Sequence, residues 1–136
     1  MVEDVSHITL AARDLDRSLA FYTEALGLRV FSRWEGGAYL AAGEDSITLI
    51  LDPGTRDGPL PEDTYLAFSV SPKSFDAARK RLRDAGAAVW QDNPTEGRSF
   101  YFVDPNGPKL EIYTSSLQAR IEFGRRNSPT GTRFYL

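Results

Sequence analysis

Two side chains of this sequence could bind a metal ion, although they lie near opposite ends of the chain. His7 is the only histidine, and neutral histidine is the commonest protein metal ligand. Glu111 alternates with Leu110 and Ile112 in a segment typical of a strand. An imidazole and a carboxylate that converge on one cavity would bind a divalent cation. Taken separately, the alternatives are a buried histidine hydrogen-bonded to a backbone carbonyl and a glutamate that faces solvent.

Composition excludes several other chemistries. The 136 residues include no cysteine, which rules out disulfides, thiolate nucleophiles and cysteine metal sites. A net charge of -3 argues against binding nucleic acid or a membrane surface through bulk electrostatics. We recognise neither a signal-peptide pattern nor an apolar run of the roughly 20 residues that a membrane helix needs. We therefore expect a cytoplasmic, single-domain protein with a small-molecule ligand.

Residues 5–52 predict a βαβββ unit, because apolar alternation gives way to helical spacing and then returns. Asp14 is the expected helix cap and Gly27 the expected helix end. The predicted strands and helix are Val5–Ala11, Leu15–Leu26, Leu28–Trp34, Gly37–Ala42 and Ser46–Leu51.

The same order of elements is predicted again in residues 64–114, after a linker at 53–63 that is rich in proline and glycine. Residues 115–136 are expected to form a short helix at about Ser116–Arg125 and a polar tail. The second set of elements is Thr64–Val70, the helix Ser71–Ala85 capped by Ser71, Ala87–Gln91, Arg98–Val103 and Lys109–Thr114.

Two βαβββ modules predict an α+β fold whose sheets curl into a half-open barrel around one cavity. Lys109, Glu111 and Tyr113 share one strand face and would point into that cavity. Four aromatic residues are expected in the core instead, namely Phe21, Tyr22, Phe100 and Phe102.

Several motifs resemble the glutathione-dependent fosfomycin-resistance enzymes of the vicinal-oxygen-chelate superfamily (glyoxalase, bleomycin-resistance and dioxygenase proteins). The resemblance runs from Val5 to about Arg120 and is strongest in Glu-Gly-Arg-Ser-Phe-Tyr-Phe-Val-Asp-Pro-Asn-Gly, residues 96–107. It implies that His7 and Glu111 bind a divalent metal, manganese in that family. Tyr65 stands where the second metal histidine is expected; it would bind only as a phenolate, or would fill the site and donate a hydrogen bond.

The resemblance also implies roles for the substrate pocket. A metal there polarises the oxirane of the drug, and the thiolate of glutathione opens the ring. Thr9 and Tyr39 would contact the reacting substrate, and Gln91 replaces a lysine that contacts its phosphonate. Further implied substrate-binding residues are Trp34, Thr95, Tyr101 and Arg120, whereas Ser46 replaces a tryptophan of the pocket. A loop that binds potassium would consist of Asn93, Thr95, Gly97, Ser99 and Tyr101.

The family further implies a swapped homodimer, in which His7 of one protomer faces Tyr65 and Glu111 of the other. Arg98 could replace the lost lysine charge, but its neighbours predict that it faces outward. Three functions stay open: a metal-dependent thiol transferase, a drug-binding protein like the bleomycin-resistance proteins, and an isomerase, epimerase or dioxygenase. The last group usually keeps a second histidine where Tyr65 stands.

Overall fold

The computed structural model of the chain describes residues 1–92, 98–114 and 116–135. Within these ranges, eight strands and three α-helices follow the predicted order, and the first helix continues into a π-helical turn. The strands are β1 His7–Ala12, β2 Arg29–Trp34, β3 Gly37–Ala42, β4 Asp45–Leu51, β5 Tyr65–Ser69, β6 Val89–Gln91, β7 Ser99–Val103 and β8 Lys109–Tyr113. The helices are α1 Leu15–Ala20, the π turn Phe21–Ala25, α2 Phe75–Asp84 and α3 Leu117–Asn127.

The strands form two sheets of identical topology. One sheet has the order β1-β4-β3-β2 and the other β5-β8-β7-β6. In each, the first and last strands of the module pair in parallel, and the remaining pairs are antiparallel. The α+β fold of two βαβββ modules is therefore confirmed.

The two helices of the modules differ from the sequence prediction in detail. The first is not one continuous α-helix, because the Leu26 amide donates to the Phe21 carbonyl, five residues back, at 3.0 Å. The second begins at Phe75 rather than at Ser71. The Ser71 hydroxyl and carbonyl both accept from the Ser74 amide, at 3.3 and 3.0 Å, and this local turn takes the place of the first helical turn.

The core lies between the helices and the outer faces of both sheets. Leu40 and Leu49 of the first sheet and Phe102 of the second are fully buried. The Phe21 ring lies 6.1 Å from the Phe102 ring, so aromatic contacts join the modules. The predicted core aromatics are confirmed: Phe21, Tyr22, Phe100 and Phe102 are all buried. In the described part of the chain, no helix has the length and apolar character needed to cross a membrane.

The turn Asp104–Gly107 clamps the second module onto α1 of the first. The Tyr22 hydroxyl donates to the Asp104 carboxylate, and the Asn106 amide donates to the Ser18 hydroxyl at 2.9 Å. Burial raises the pKa of both the Tyr22 phenol and the Asp104 carboxyl. Gly107 has a φ of 117°, and a Cβ there would overlap the Gly58 carbonyl of the linker. The clamp thus fixes the two modules and the linker against one another.

Candidate active site

Glu111 lies on the inner face of the second sheet, where no helix covers it. Its neighbours across the ladder are Ala67 of β5 and Tyr101 of β7. The side chain is only 6% exposed, and the ion pairs of the described residues involve other carboxylates. Burying a carboxylate is costly unless a cation or hydrogen-bond donors compensate for its lost hydration. This position therefore suits a bound cation.

Tyr101 and Ser99 form the polar surface beside Glu111. Burial raises the pKa of the Tyr101 phenol, and the negative charge of Glu111 adds to this rise. Tyr101 therefore keeps its proton at neutral pH. The buried Ser99 Oγ has no hydrogen-bond partner among the described residues. Such an unpaired hydroxyl is rare in a folded protein and suits a polar ligand.

Trp90 forms an aromatic wall on this face, and sequence reasoning missed it. The pairing of β6 with β7 shifts between Val89 and Gln91, which is typical of a β-bulge. The indole consequently lies 5.1 Å from the Tyr65 ring and 5.0 Å from the Tyr101 ring. Its Nε1 donates to the Leu110 carbonyl at 3.0 Å. A bulge of this kind leaves no clear signal in one sequence.

Lys109 is a second side chain on this face to which the sequence assigned no role. It pairs with Tyr65 in the ladder, and its ammonium lies 5.2 Å from the Trp90 ring. The ammonium donates to the Glu62 carbonyl of the linker at 2.7 Å. Gln91, which pairs with Tyr101, is partly exposed at the edge of the same face.

The inner face of the first sheet carries the other predicted residues. His7 pairs with Ser46, and Thr9 pairs with Thr48, which in turn pairs with Tyr39. The His7 ring is exposed, and its Nδ1 lies 3.0 Å from the Ser6 hydroxyl. With Nδ1 in that contact, Nε2 is the ring nitrogen that would bind a metal.

Aromatic side chains dominate the rest of that first face. The Tyr39 ring stacks 5.8 Å from Phe31 and lies 4.7 Å from Trp34. Trp34 is 39% exposed and Tyr39 is 42% exposed. Three large rings at a solvent-facing surface form an exposed apolar patch, which is typical of a binding surface.

The structure brings the predicted residues together in two groups rather than in one. His7, Thr9, Trp34 and Tyr39 belong to the first sheet, whereas Tyr65, Gln91, Ser99, Tyr101 and Glu111 belong to the second. The described residues contain no cluster of three or more His, Cys, Asp or Glu side chains that could bind a metal. Convergence of the two groups therefore stays a prediction.

The remaining predicted residues lie elsewhere. Arg98 pairs with Asp76, and its guanidinium lies 4.7 Å from the Phe75 ring of α2, so its outward orientation is confirmed. Arg120 is exposed on α3. Asn93, Thr95 and Gly97 lie outside the described residues.

Comparisons with known proteins agree with this architecture. The glutathione transferase FosA of Serratia marcescens is 40% identical over 98% of this chain and 96% of its own length. The metallothiol transferase FosB of Shouchella clausii is 30% identical over 95% of this chain and 92% of its own. A FosX fosfomycin resistance protein from Listeria monocytogenes, solved with Mn(II) and 1S,2S-dihydroxypropylphosphonic acid, shares the fold. Its TM-score is 0.78 at 20% identity, over 90% of this chain and 99% of that one.

The family model of the Glyoxalase/Bleomycin resistance protein/Dioxygenase superfamily matches residues 4–112. That span includes both sheets, apart from the last residue of β8, and both clusters of inner-face residues. With this match and the FosA and FosB relatives, the chain belongs to the Glyoxalase/Bleomycin resistance protein/Dioxygenase superfamily.

Proposed function

We propose that this protein is a metal-dependent thiol transferase that opens the oxirane of fosfomycin, or of a closely similar small anionic epoxide, with glutathione. The observation that carries the proposal is the buried carboxylate of Glu111, which has no ion pair among the described residues and lies on an uncovered sheet face. The names of the FosA and FosB relatives, both thiol transferases, support the same chemistry.

His7 and Glu111 would bind the divalent metal, with Tyr65 at the third position. The imidazole and the carboxylate are donors that manganese accepts, and the FosX structure contains Mn(II). When bound, the metal supplies Lewis-acid polarisation of an epoxide or phosphonate oxygen. Tyr65 either binds as a phenolate, which would favour a more acidic ion such as ferric iron, or stays neutral and donates a hydrogen bond.

The other side chains would position the substrate and exclude water. Thr9 and Tyr39 would orient the reacting group from the first sheet. Tyr101, which keeps its proton because its pKa is raised, would donate a hydrogen bond to a substrate oxygen. Further proposed substrate-binding residues are Trp34, Gln91, Thr95 and Arg120.

We also propose a potassium ion bound by the segment between β6 and β7, of which Ser99 and Tyr101 lie within the described residues. The unpaired, buried Ser99 Oγ supports an oxygen-binding ion or ligand there. The proposed loop residues are Asn93, Thr95, Gly97, Ser99 and Tyr101.

A homodimer would complete the site. His7 of one protomer would then face Tyr65 and Glu111 of its partner. The exposed rings of Phe31, Trp34 and Tyr39 support this arrangement, because a surface of that kind is stabilised when a second sheet covers it. Light scattering should give about twice the 15.1 kDa of one chain, and a monomer mass would contradict the dimer.

Metal analysis and a conjugation assay together test the function. We expect the purified protein to contain a divalent metal and to form the glutathione adduct of fosfomycin. A Tyr65→His variant should bind manganese about tenfold to a hundredfold more tightly, because a second imidazole completes a set of three ligands. Absence of both metal and turnover would contradict the proposal, and an unchanged affinity in Tyr65→His would contradict the three-residue site.

A drug-binding protein without metal chemistry is the second candidate. The aromatic side chains of Trp34, Tyr39, Tyr65 and Trp90 favour it, because rings on open sheet faces suit a flat or amphipathic ligand. Thermal-shift screening with bleomycin-like drugs, with and without a chelator, separates the two candidates. Stability that falls when the chelator is added would contradict the binder.

A further inference from the structure

Lys109 lies on the same inner face as Glu111. The two residues are separated by one position on β8, so both side chains project from the same face, with Cα atoms about 6.7 Å apart. Tyr65 is the ladder partner of Lys109, and Tyr101 is the ladder partner of Glu111. The ammonium is thus part of the same surface as the proposed metal ligands.

Two contacts hold the ammonium at this surface. Its Nζ lies 5.2 Å from the Trp90 ring centroid and donates to the Glu62 carbonyl at 2.7 Å. The Trp90 ring is itself fixed, because its Nε1 donates to the Leu110 carbonyl at 3.0 Å. A lysine side chain fixed in this way loses less conformational freedom when a ligand binds.

Lys109 keeps most of its capacity to bind an anion. An ammonium has three donors, and a single main-chain acceptor uses one of them. The ion pairs between described residues involve Arg33, Arg79, Lys80 and Arg98 instead. The half-buried charge of Lys109 therefore has no carboxylate partner among the described residues.

The same face offers few other cations. Apart from Lys109, the described residues of β5, β6, β7 and β8 that share this inner face carry no positive charge. Arg98 pairs with Asp76 at α2 and points away. Among the described strand residues of this face, an anionic ligand at Glu111 would otherwise meet only a carboxylate and neutral side chains.

We propose that Lys109 is the residue of this sheet face that recognises the anionic group of the substrate, with its ammonium positioned by the ring of Trp90. The inference rests on the proposed function for the identity of the substrate, a small phosphonate. Lys109 would select phosphonates over neutral epoxides, because an ammonium in a half-buried site attracts an anion more strongly than it would in water. Trp90 is the positioning residue, since its ring lies 5.2 Å from the ammonium on the same inner face as Glu111.

Steady-state kinetics with fosfomycin test the role of Lys109. We expect K109M to raise KM about tenfold or more and to change kcat far less, because a charge-assisted hydrogen bond to substrate is lost. K109R should stay close to the wild type, since it retains the positive charge. K80M, at an exposed lysine paired with Asp84 on α2, is the matched control and should leave both constants unchanged.

A binding measurement separates this inference from the proposed function. Calorimetry with propylphosphonate should show a Kd raised about tenfold or more in K109M, whereas the neutral diethyl ester should bind both proteins equally. K109Q serves as a second variant if K109M does not fold. A wild type that fails to bind propylphosphonate, or variants that bind it as the wild type does, would overturn the inference. Phosphonate binding that depends on Lys109 without any conjugation would instead overturn the thiol transferase.

Discussion

The two sheets share one topology but present very different inner faces. On the first, Trp34 and Tyr39 are about two-fifths exposed, and the His7 ring is open to solvent. On the second, Tyr101 and Glu111 are almost completely buried, at 5% and 6% exposure. The strand order and the parallel pairing of the first and last strands of each module are the same in both.

This difference shows that a repeated architecture need not repeat a role. The second face is largely assembled within one chain, because Trp90 contacts the Tyr65 and Tyr101 rings and the Lys109 ammonium. The first face carries His7, a proposed metal ligand, and rings that are exposed in a single chain. We infer that the second face determines what is bound and that the first face completes the site from a partner protomer.

The largest expected effect tests whether the second face is the metal-binding one. Glu111→Gln should lower both metal content and conjugation by about two orders of magnitude or more, because an amide is a weaker ligand than a carboxylate. Elemental analysis and turnover measure it. The control is Glu24→Gln at an exposed position, and equal losses in both variants would contradict the role of Glu111.

A smaller effect is expected at the clamp that joins the modules. Tyr22→Phe removes the donor to the buried Asp104 carboxylate and should lower the free energy of unfolding by about 1–3 kcal/mol. Urea unfolding measures the change. Tyr39→Phe, at an exposed ring on the first face, is the comparison and should change stability by less than about 0.5 kcal/mol. A loss at Tyr39 as large as the loss at Tyr22 would contradict the comparison.

Substitutions on the first face should change the stability of the dimer rather than the folding of one chain. Trp34→Ser removes a ring that is 39% exposed, so it should weaken the dimer about tenfold if a partner covers this face. Dilution followed by light scattering measures the dissociation. A variant that dissociates at the same concentration as the wild type would show that Trp34 lies outside the interface.

The smallest effect is a pH dependence that arises at the clamp. Burial raises the pKa of the Asp104 carboxyl, and hydrogen bonds from Tyr22 and Asn106 oppose part of that rise. The folded protein therefore binds this proton more tightly than the unfolded chain does. The resulting stability is fully present below the ordinary pKa of 3.8 and is lost as pH rises through the raised value.

Asp104→Asn should accordingly remove this component of the pH dependence. Urea unfolding of both proteins at pH values from 3.8 through the raised pKa of Asp104 measures how the free energy of unfolding changes with pH in each. Parallel stability curves for the wild type and Asp104→Asn would show that another group titrates.

Local signals in the sequence predicted most of the fold. The strand Gly37–Ala42 has the predicted bounds, and Asp14 caps α1 by accepting from the Arg17 amide at 3.2 Å. Both depend on residues close together in the chain, namely the glycine turns that flank β3 and the cap beside its helix. The strand order of the second module was predictable from local signals of the same kind.

What the sequence could not predict depends on pairing between distant segments. The bulge that turns Trp90 onto the inner face depends on the register of β6 against β7. The contact of Lys109 with the Glu62 carbonyl depends on where the linker crosses the sheet. The π turn after α1 was missed because helical periodicity does not distinguish a five-residue hydrogen bond from a four-residue one.

The turn Asp104–Gly107 also determines whether the two modules could exist as separate proteins. Separating the modules would leave Asp104 and Asn106, each 3% exposed, without the Tyr22 and Ser18 hydroxyls that they contact. The linker is held to the same turn, because the Leu60 amide donates to the Gly107 carbonyl at 3.1 Å. Neither βαβββ half is therefore an independent folding unit, and the whole chain should unfold in one cooperative step.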